Sequence, residues 1–151
     1  VDSTVYRKLF VPLDGGPLTD KAMSGALELA KQLGASVVGF VAEPDAPVPQ
    51  VGTQLQKYYD DVERHTVVTD THARTLLTRF EALAAEAGVP YQGLHVHSDH
   101  VDQAIVDEAE RVEADMIVMV THGRSTIGEW VYGSHTKKVM SLSKLPLLVL
   151  H

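Results

Sequence analysis

The sequence predicts a doubly wound α/β domain: a five-stranded parallel sheet in the order 3-2-1-4-5 with helices on both faces. Three observations carry this. Strand-length runs such as KLFVPL, SVVGFV and MIVMV are apolar without alternation, the pattern of strands covered on both faces. Between the strands lie stretches with apolar residues spaced three and four apart, which marks helices with one buried face. The two kinds alternate along 151 residues, a length that suits a single domain, here residues 1–151, around one core.

Each element follows in order. YRKLFVPLD (6–14) is a buried strand that ends in the turn DGGP. LTDKAMSGALELAKQLG is a helix with Ala22, Met23, Ala26, Leu29, Ala30 and Leu33 on one face. Thr19 or Asp20 is expected to cap its start, and Gly34 to end it. ASVVGFVAEP (35–44) is a second buried strand, so the opening is strand, helix, strand with a parallel crossover. PDAPVPQVGTQ (44–54) has no periodicity and is a loop. Residues 55–87 are helical in pattern, with a break expected in the β-branched stretch TVVTDT. Gly88 and Pro90 end this helix. YQGLHVH (91–97) alternates as an edge strand does, and VDQAIVDEAERVEA is a helix with Ala104, Ile105, Ala109 and Val112 inward. ADMIVMV (114–120) is a fully buried strand, THGRSTIGEWVYGSHT a loop, TKKVMSLSK a short helix and LPLLVLH the last strand.

Composition narrows the function. Hydrophobic residues make up 44% and charged residues 22%, as in ordinary globular proteins. A formal net charge of −7 argues against nucleic acid or an anionic membrane as main partner, since both need clustered Lys and Arg. No apolar run approaches the roughly 20 residues that span a bilayer, and no charged-then-apolar leader opens the chain. The absence of cysteine excludes disulfides and thiol chemistry and agrees with a cytoplasmic location.

In an open α/β sheet, ligands bind beyond the carboxyl ends of the strands, where strand order reverses. DGGP, AEPDAP and THGRSTIGEWVYGSHT follow the first, second and fourth strands there. The third of these loops leaves a buried strand, carries Gly123, Gly128 and Gly133, and reaches Ser134 and Thr136 as a helix begins. Glycines let a phosphate approach the backbone, and free N–H groups at a helix start point at it.

The full length of the chain resembles the universal stress proteins, in the branch typified by universal stress protein A. FVPLDGG, MIVM followed by THGR, Gly133-Ser134 and the terminal PLLVL carry the likeness. The family motif is Gly, two residues, Gly, nine residues, then Gly with Ser or Thr; Gly123, Gly133 and Ser134 match it, and its first glycine falls on Val120. The resemblance implies a pocket for ATP or AMP, with or without Mg²⁺. In it Asp14 would hold the ribose or lie near the adenine, beside Pro12 and Leu13. Val41 would offer backbone groups to the adenine edge. Met119 and His122 would line the walls, with Val120 adjoining. Gly123, Gly133, Ser134 and Thr136 would cradle phosphates, with the backbone of His135 and the side chain of Arg124 in reach. The resemblance further implies a regulatory protein without fast turnover, with at most slow ATP hydrolysis or self-phosphorylation, Ser134 being the first acceptor to consider. No catalytic residue is assigned. A family member that has lost nucleotide and acts through protein contacts is the alternative. An enzyme cleaving ATP between its α and β phosphates ranks lower, because LDGGPLT matches the loop of such enzymes poorly.

HVHSDH (95–100) has the His-x-His-x-Asp-His spacing of two-metal hydrolases. A zinc-dependent hydrolase of that fold needs a longer chain with further ligands, so the motif is read as the end of an edge strand, with Asp99 capping the next helix and no metal assigned. The last strand, apolar and at a sheet edge, predicts a homodimer paired through that edge.

Overall fold

The computed structural model describes residues 6–121, 123–124, 130–131 and 134–151. The order is β1 (Lys8–Leu13), α1 (Thr19–Leu33), β2 (Ser36–Glu43), α2 (Leu55–Ala87), β3 (Tyr91–His97), α3 (Val101–Arg111), β4 (Met116–Val120), β5 (Gly123–Arg124), β6 (Trp130–Val131), α4 (Ser134–Leu142) and β7 (Leu147–Leu150). Five strands form one sheet in the order β3-β2-β1-β4-β7, all parallel. This is the sheet order expected from the sequence, with β7 as its fifth strand.

Two apolar layers cover the sheet. Leu9, Val11, Val37 and Val41 pack under α1 and α2, where Met23, Ala26 and Phe80 fill the space. Phe10, Val38, Phe40, Ile117 and Met119 pack on the other face with Ile105, Val106 and Ala109 of α3 and Val139 of α4. Alternation along each strand therefore splits neighbours between layers. Burial on both faces explains why these strands read as unbroken apolar runs. The Phe10 and Phe40 rings meet with centroids 5.1 Å apart. At the open end of β1, Asp115 Oδ2 accepts hydrogen bonds from the backbone N–H groups of Arg7 and Lys8, each at 2.9 Å.

Several local expectations are corrected. Neither Thr19 nor Asp20 caps α1; Leu18 stands at the N-cap without a side-chain hydrogen bond. The turn closes early, with Thr19 N bonded to Gly16 O, so Thr19 is already helical. No break interrupts α2 at TVVTDT, and the helix runs 33 residues. Each β-branched residue costs only some tenths of a kcal/mol there, and Thr69 is buried, with its hydroxyl bonded back to His65 O at 2.9 Å. Asp99 does not cap α3: His100 holds that place. The Asp99 carboxylate instead accepts from Asp45 N at 2.9 Å, which ties the loop after β2 to the end of β3. Within the segment expected to be loop, Gly123 and Arg124 pair antiparallel with Val131 and Trp130. Gly34 and Gly88 do end α1 and α2, both in the left-handed region that favours glycine.

Gly39, in the middle of β2, sets how closely α2 can lie. A Cβ there would stand 2.7 Å from the Tyr91 hydroxyl and 2.9 Å from Phe80 Cδ2. The Tyr91 hydroxyl donates to Leu77 O at 3.0 Å, and the Phe80 and Tyr91 rings lie 5.1 Å apart. Burial, and then Glu81, push the Tyr91 phenol well above its ordinary pKa. Gly39→Ala is therefore expected to destabilise the fold by about 1–3 kcal/mol through overpacking. The midpoint of urea unfolding measures it, and an unchanged midpoint would show that α2 is seated by other contacts.

Candidate functional site

At the carboxyl ends of β1 and β4 the sheet opens into a crevice of about 420 Å³. Here the chain leaves β1 towards β2 on one side, while β4 lies on the other, so strand order reverses. The floor comes from β1 and its turn: Pro12, Leu13, Asp14 and Gly16. Met119, Val120 and Thr121 supply one wall, His135 and Thr136 of α4 another. Most of the residues singled out in the sequence are thus brought together. Val41 is not among the lining residues; its side chain is buried in the layer under α1 and α2, and Phe40 and Ala42 on either side face the crevice. His122 and Gly133 lie outside the described residues, as do the side chains of Gly123, Arg124 and Ser134.

Asp14 Oδ1 accepts a hydrogen bond from Gly16 N at 2.8 Å and so folds the DGGP turn on itself. Gly15, inside that turn, has φ +79°, and a Cβ there would lie 2.5 Å from His72 Nε2 of α2. The positive φ favours glycine at this place, and a Cβ would also have to displace the His72 ring. The other face of the His72 ring is engaged, since its Nδ1 pairs with the buried Glu43 carboxylate. The crevice rim is therefore tied to the end of β2 and to α2.

Val120 has ordinary backbone geometry, since Glu113 is the one non-glycine with positive φ among the described residues. Its side chain packs partly on the α1 layer and borders the crevice. Valine thus fits the backbone at the motif's first position while occupying space that a glycine would leave. On the far wall His135 Nδ1 lies 2.6 Å from Asp102 Oδ1, which joins the first turns of α4 and α3. At the start of α4, backbone N–H groups lack helical partners, a feature suited to an anion.

Sequence reasoning missed Thr19, Phe40, Ala42, Val101 and Ile105 as lining residues. Alternation along β2 could have found Phe40 and Ala42. Nothing in the local sequence marks Thr19. Its Oγ1 is buried on the crevice wall without a hydrogen-bond partner among the described residues. An orphaned hydroxyl costs stability, and a polar ligand or water in the crevice would satisfy it.

The family model of the Universal stress protein family matches residues 5–151. The chain belongs to the universal stress protein family. Universal stress protein MJ0531 of Methanocaldococcus jannaschii is 25% identical over 149 residues, covering 96% of this chain and 82% of that protein. A crystal structure of a universal stress protein family member from Burkholderia pseudomallei superposes with a TM-score of 0.72 at 21% identity, over 99% of this chain and 98% of that one. A universal stress protein solved in complex with cAMP gives a TM-score of 0.68 at 23% identity, over 98% of each chain. Both likenesses bear out the α/β fold. Among the described residues no helix is long and apolar enough to cross a membrane.

The orphaned hydroxyl yields a test. Thr19→Val, nearly the same shape, is expected to leave the stability of the ligand-free protein unchanged or to raise it by about 1 kcal/mol. Thermal unfolding without added nucleotide measures this. A loss above about 1 kcal/mol would show that the hydroxyl is already satisfied.

Proposed function

We propose that this universal stress protein binds an adenine nucleotide, ATP or AMP, in the β1/β4 crevice and acts as a cytoplasmic regulator through its occupancy. The observation that carries the proposal is the orphaned Thr19 hydroxyl in a crevice of ligand size, walled by Pro12, Met119 and Phe40 on its apolar side. The apolar wall suits a base. The carboxylate of Asp14 suits a ribose hydroxyl, or Mg²⁺ held with phosphates. The start of α4 suits the phosphates themselves. A fold neighbour binds cAMP, a ligand with the same base and sugar. The proposal carries no fast turnover: at most slow ATP hydrolysis or self-phosphorylation, with Ser134 the first acceptor to test.

The same proposal includes a homodimer. β7 lies at the sheet edge with four half-buried apolar residues, LLVL, and among the described residues its outer side carries no strand. A second copy pairing there antiparallel about a two-fold axis would satisfy the edge. Light scattering at micromolar concentration is expected to give twice the 16.5 kDa of one chain, and Val149→Pro to give one. A wild-type mass of one chain would refute the dimer.

Nucleotide binding is tested by melting temperature with AMP, ADP and ATP, each with and without Mg²⁺. Ligand at a hundred times its Kd should add about 2.7 kcal/mol of stability. Val120→Gly is expected to enlarge the shift, because the crevice that Val120 borders gains the space of an isopropyl group. No shift in either protein would favour a member that works through protein contacts alone.

A further inference from the structure

The motif HVHSDH is divided by the fold. His95 and His97, two apart on β3, share the face covered by α2, and their rings lie 4.8 Å apart. Asp99 and His100 fall beyond the strand: Asp99 holds Asp45, and His100 is an exposed N-cap. The carboxylate that faces the two imidazoles comes from the helix instead. Asp70 Oδ1 lies 3.9 Å from His95 Nδ1 and 3.6 Å from His97 Nε2. One ligand atom from each of the three lies within 4.8 Å of the others.

We propose that Asp70, His95 and His97 form a site for a divalent transition metal of the zinc, nickel and cobalt kind, joining α2 to the edge strand β3. Ligands about 2.0–2.1 Å from zinc in a tetrahedron stand about 3.4 Å apart. The separations of 3.6 and 3.9 Å close to that by small side-chain rotations. Two imidazoles and one carboxylate select this class of metal, whereas Mg²⁺ and Ca²⁺ call for oxygen ligands.

The surroundings agree. His95 Nε2 is buried and has no hydrogen-bond partner among the described residues, while Nδ1, the ring nitrogen that faces Asp70, is the one placed to ligate. Burial, and then His97, hold the His95 pKa below its ordinary value, while Asp70 and Glu43 pull the other way. The Thr69 hydroxyl, 2.9 Å from His97 Nε2, orients that second ring and would exchange its contact for the metal's. Glu43, paired in register with His97, adds a buried carboxylate that would balance the ion's charge. The Asp70 and His97 side chains are 42% and 34% exposed, and a cleft lined by Arg74, Tyr91 and Gly93 adjoins them. Solvent therefore reaches the ion and fills its remaining positions. This site stands on other residues than the nucleotide crevice, and neither reading depends on the other.

The test uses the full chain without a histidine tag, stripped with EDTA and titrated calorimetrically with ZnCl₂, NiCl₂ and MgCl₂. One Zn²⁺ or Ni²⁺ per chain is expected, and no Mg²⁺. Asp70→Asn and His97→Gln should each weaken zinc binding at least tenfold, while His100→Gln leaves it unchanged. Co²⁺ should give visible d–d absorption in the wild type that both variants lose. Zinc should raise the melting temperature of the wild type and not of His97→Gln, a readout that a misfolded variant would fail before any metal is added. Absent binding, binding that survives both Asp70→Asn and His97→Gln, or binding that His100→Gln removes would each overturn the site.

Discussion

The seat of α2 on the sheet rests on the missing side chain at Gly39, and both polar regions of the molecule depend on it. Phe80 and Tyr91 close over that gap, and the Tyr91 hydroxyl fastens to the helix at Leu77 O. From this point the helix and β3 run in opposite directions. Six residues of strand from Tyr91 to His97 cover about 20 Å, and twelve residues of helix from Leu77 back to His65 cover about 18 Å. The two lengths agree, so a pair fixed at one end brings His65 beside His97 at the other, with ring centroids 6.2 Å apart, and Thr69 and Asp70, about one turn nearer, reach the two imidazoles. A helix seated farther out would lose those facings and would lift His72 away from Gly15.

A second consequence concerns the crevice. Part of its floor is the turn after β1, and turns hold their shape through few contacts. Here Asp14 closes the turn from within, and the His72 ring packs over Gly15 from outside. Glu43 holds that ring from the end of β2. The loop next to the crevice is thereby anchored to the sheet and to the longest helix. Such anchoring suits a binding site, because a ligand then meets groups already in place and orders little on arrival.

Much of the architecture is legible in the sequence because the strands are covered on both faces, which leaves unbroken apolar runs, and because glycines close α1 and α2. The sheet order 3-2-1-4-5 expected for a doubly wound domain is the one observed, and the placing of the site loops and of β3 at an edge depends on it. What fails is local chemistry decided by tertiary contact. Asp99 resembles a helix cap in sequence, but Asp45 of a distant loop takes its carboxylate. TVVTDT resembles a helix break, yet packing of Thr69 against β3 outweighs a weak intrinsic preference. In the crevice, the turn and the β4 residues are readable from their glycines and strand ends. Thr19 is not, because a buried hydroxyl without a partner is a fact of three dimensions. Asp70 is invisible for the same reason: it lies 25 residues before His95 with no spacing rule to join them.

The His72–Glu43 pair stands between the two polar regions and raises the question of whether occupancy of one bears on the other. Contact alone does not transmit binding energy. Coupling requires an element with two arrangements that the ligands stabilise unequally. His72 lies between the Gly15 backbone and Glu43 with 44% of its side chain exposed, while Glu43 is buried at the end of a central strand. The pair is seen in one arrangement, and an exposed ring that turned to solvent would leave Glu43 without carrying a change to the other region. Without a two-state element between them the sites are additive: each would stabilise the fold by its own ligand, and both would do so through α2. Regulation through nucleotide occupancy would then act on what approaches the crevice and the β7 edge, not on the edge strand β3 across the sheet.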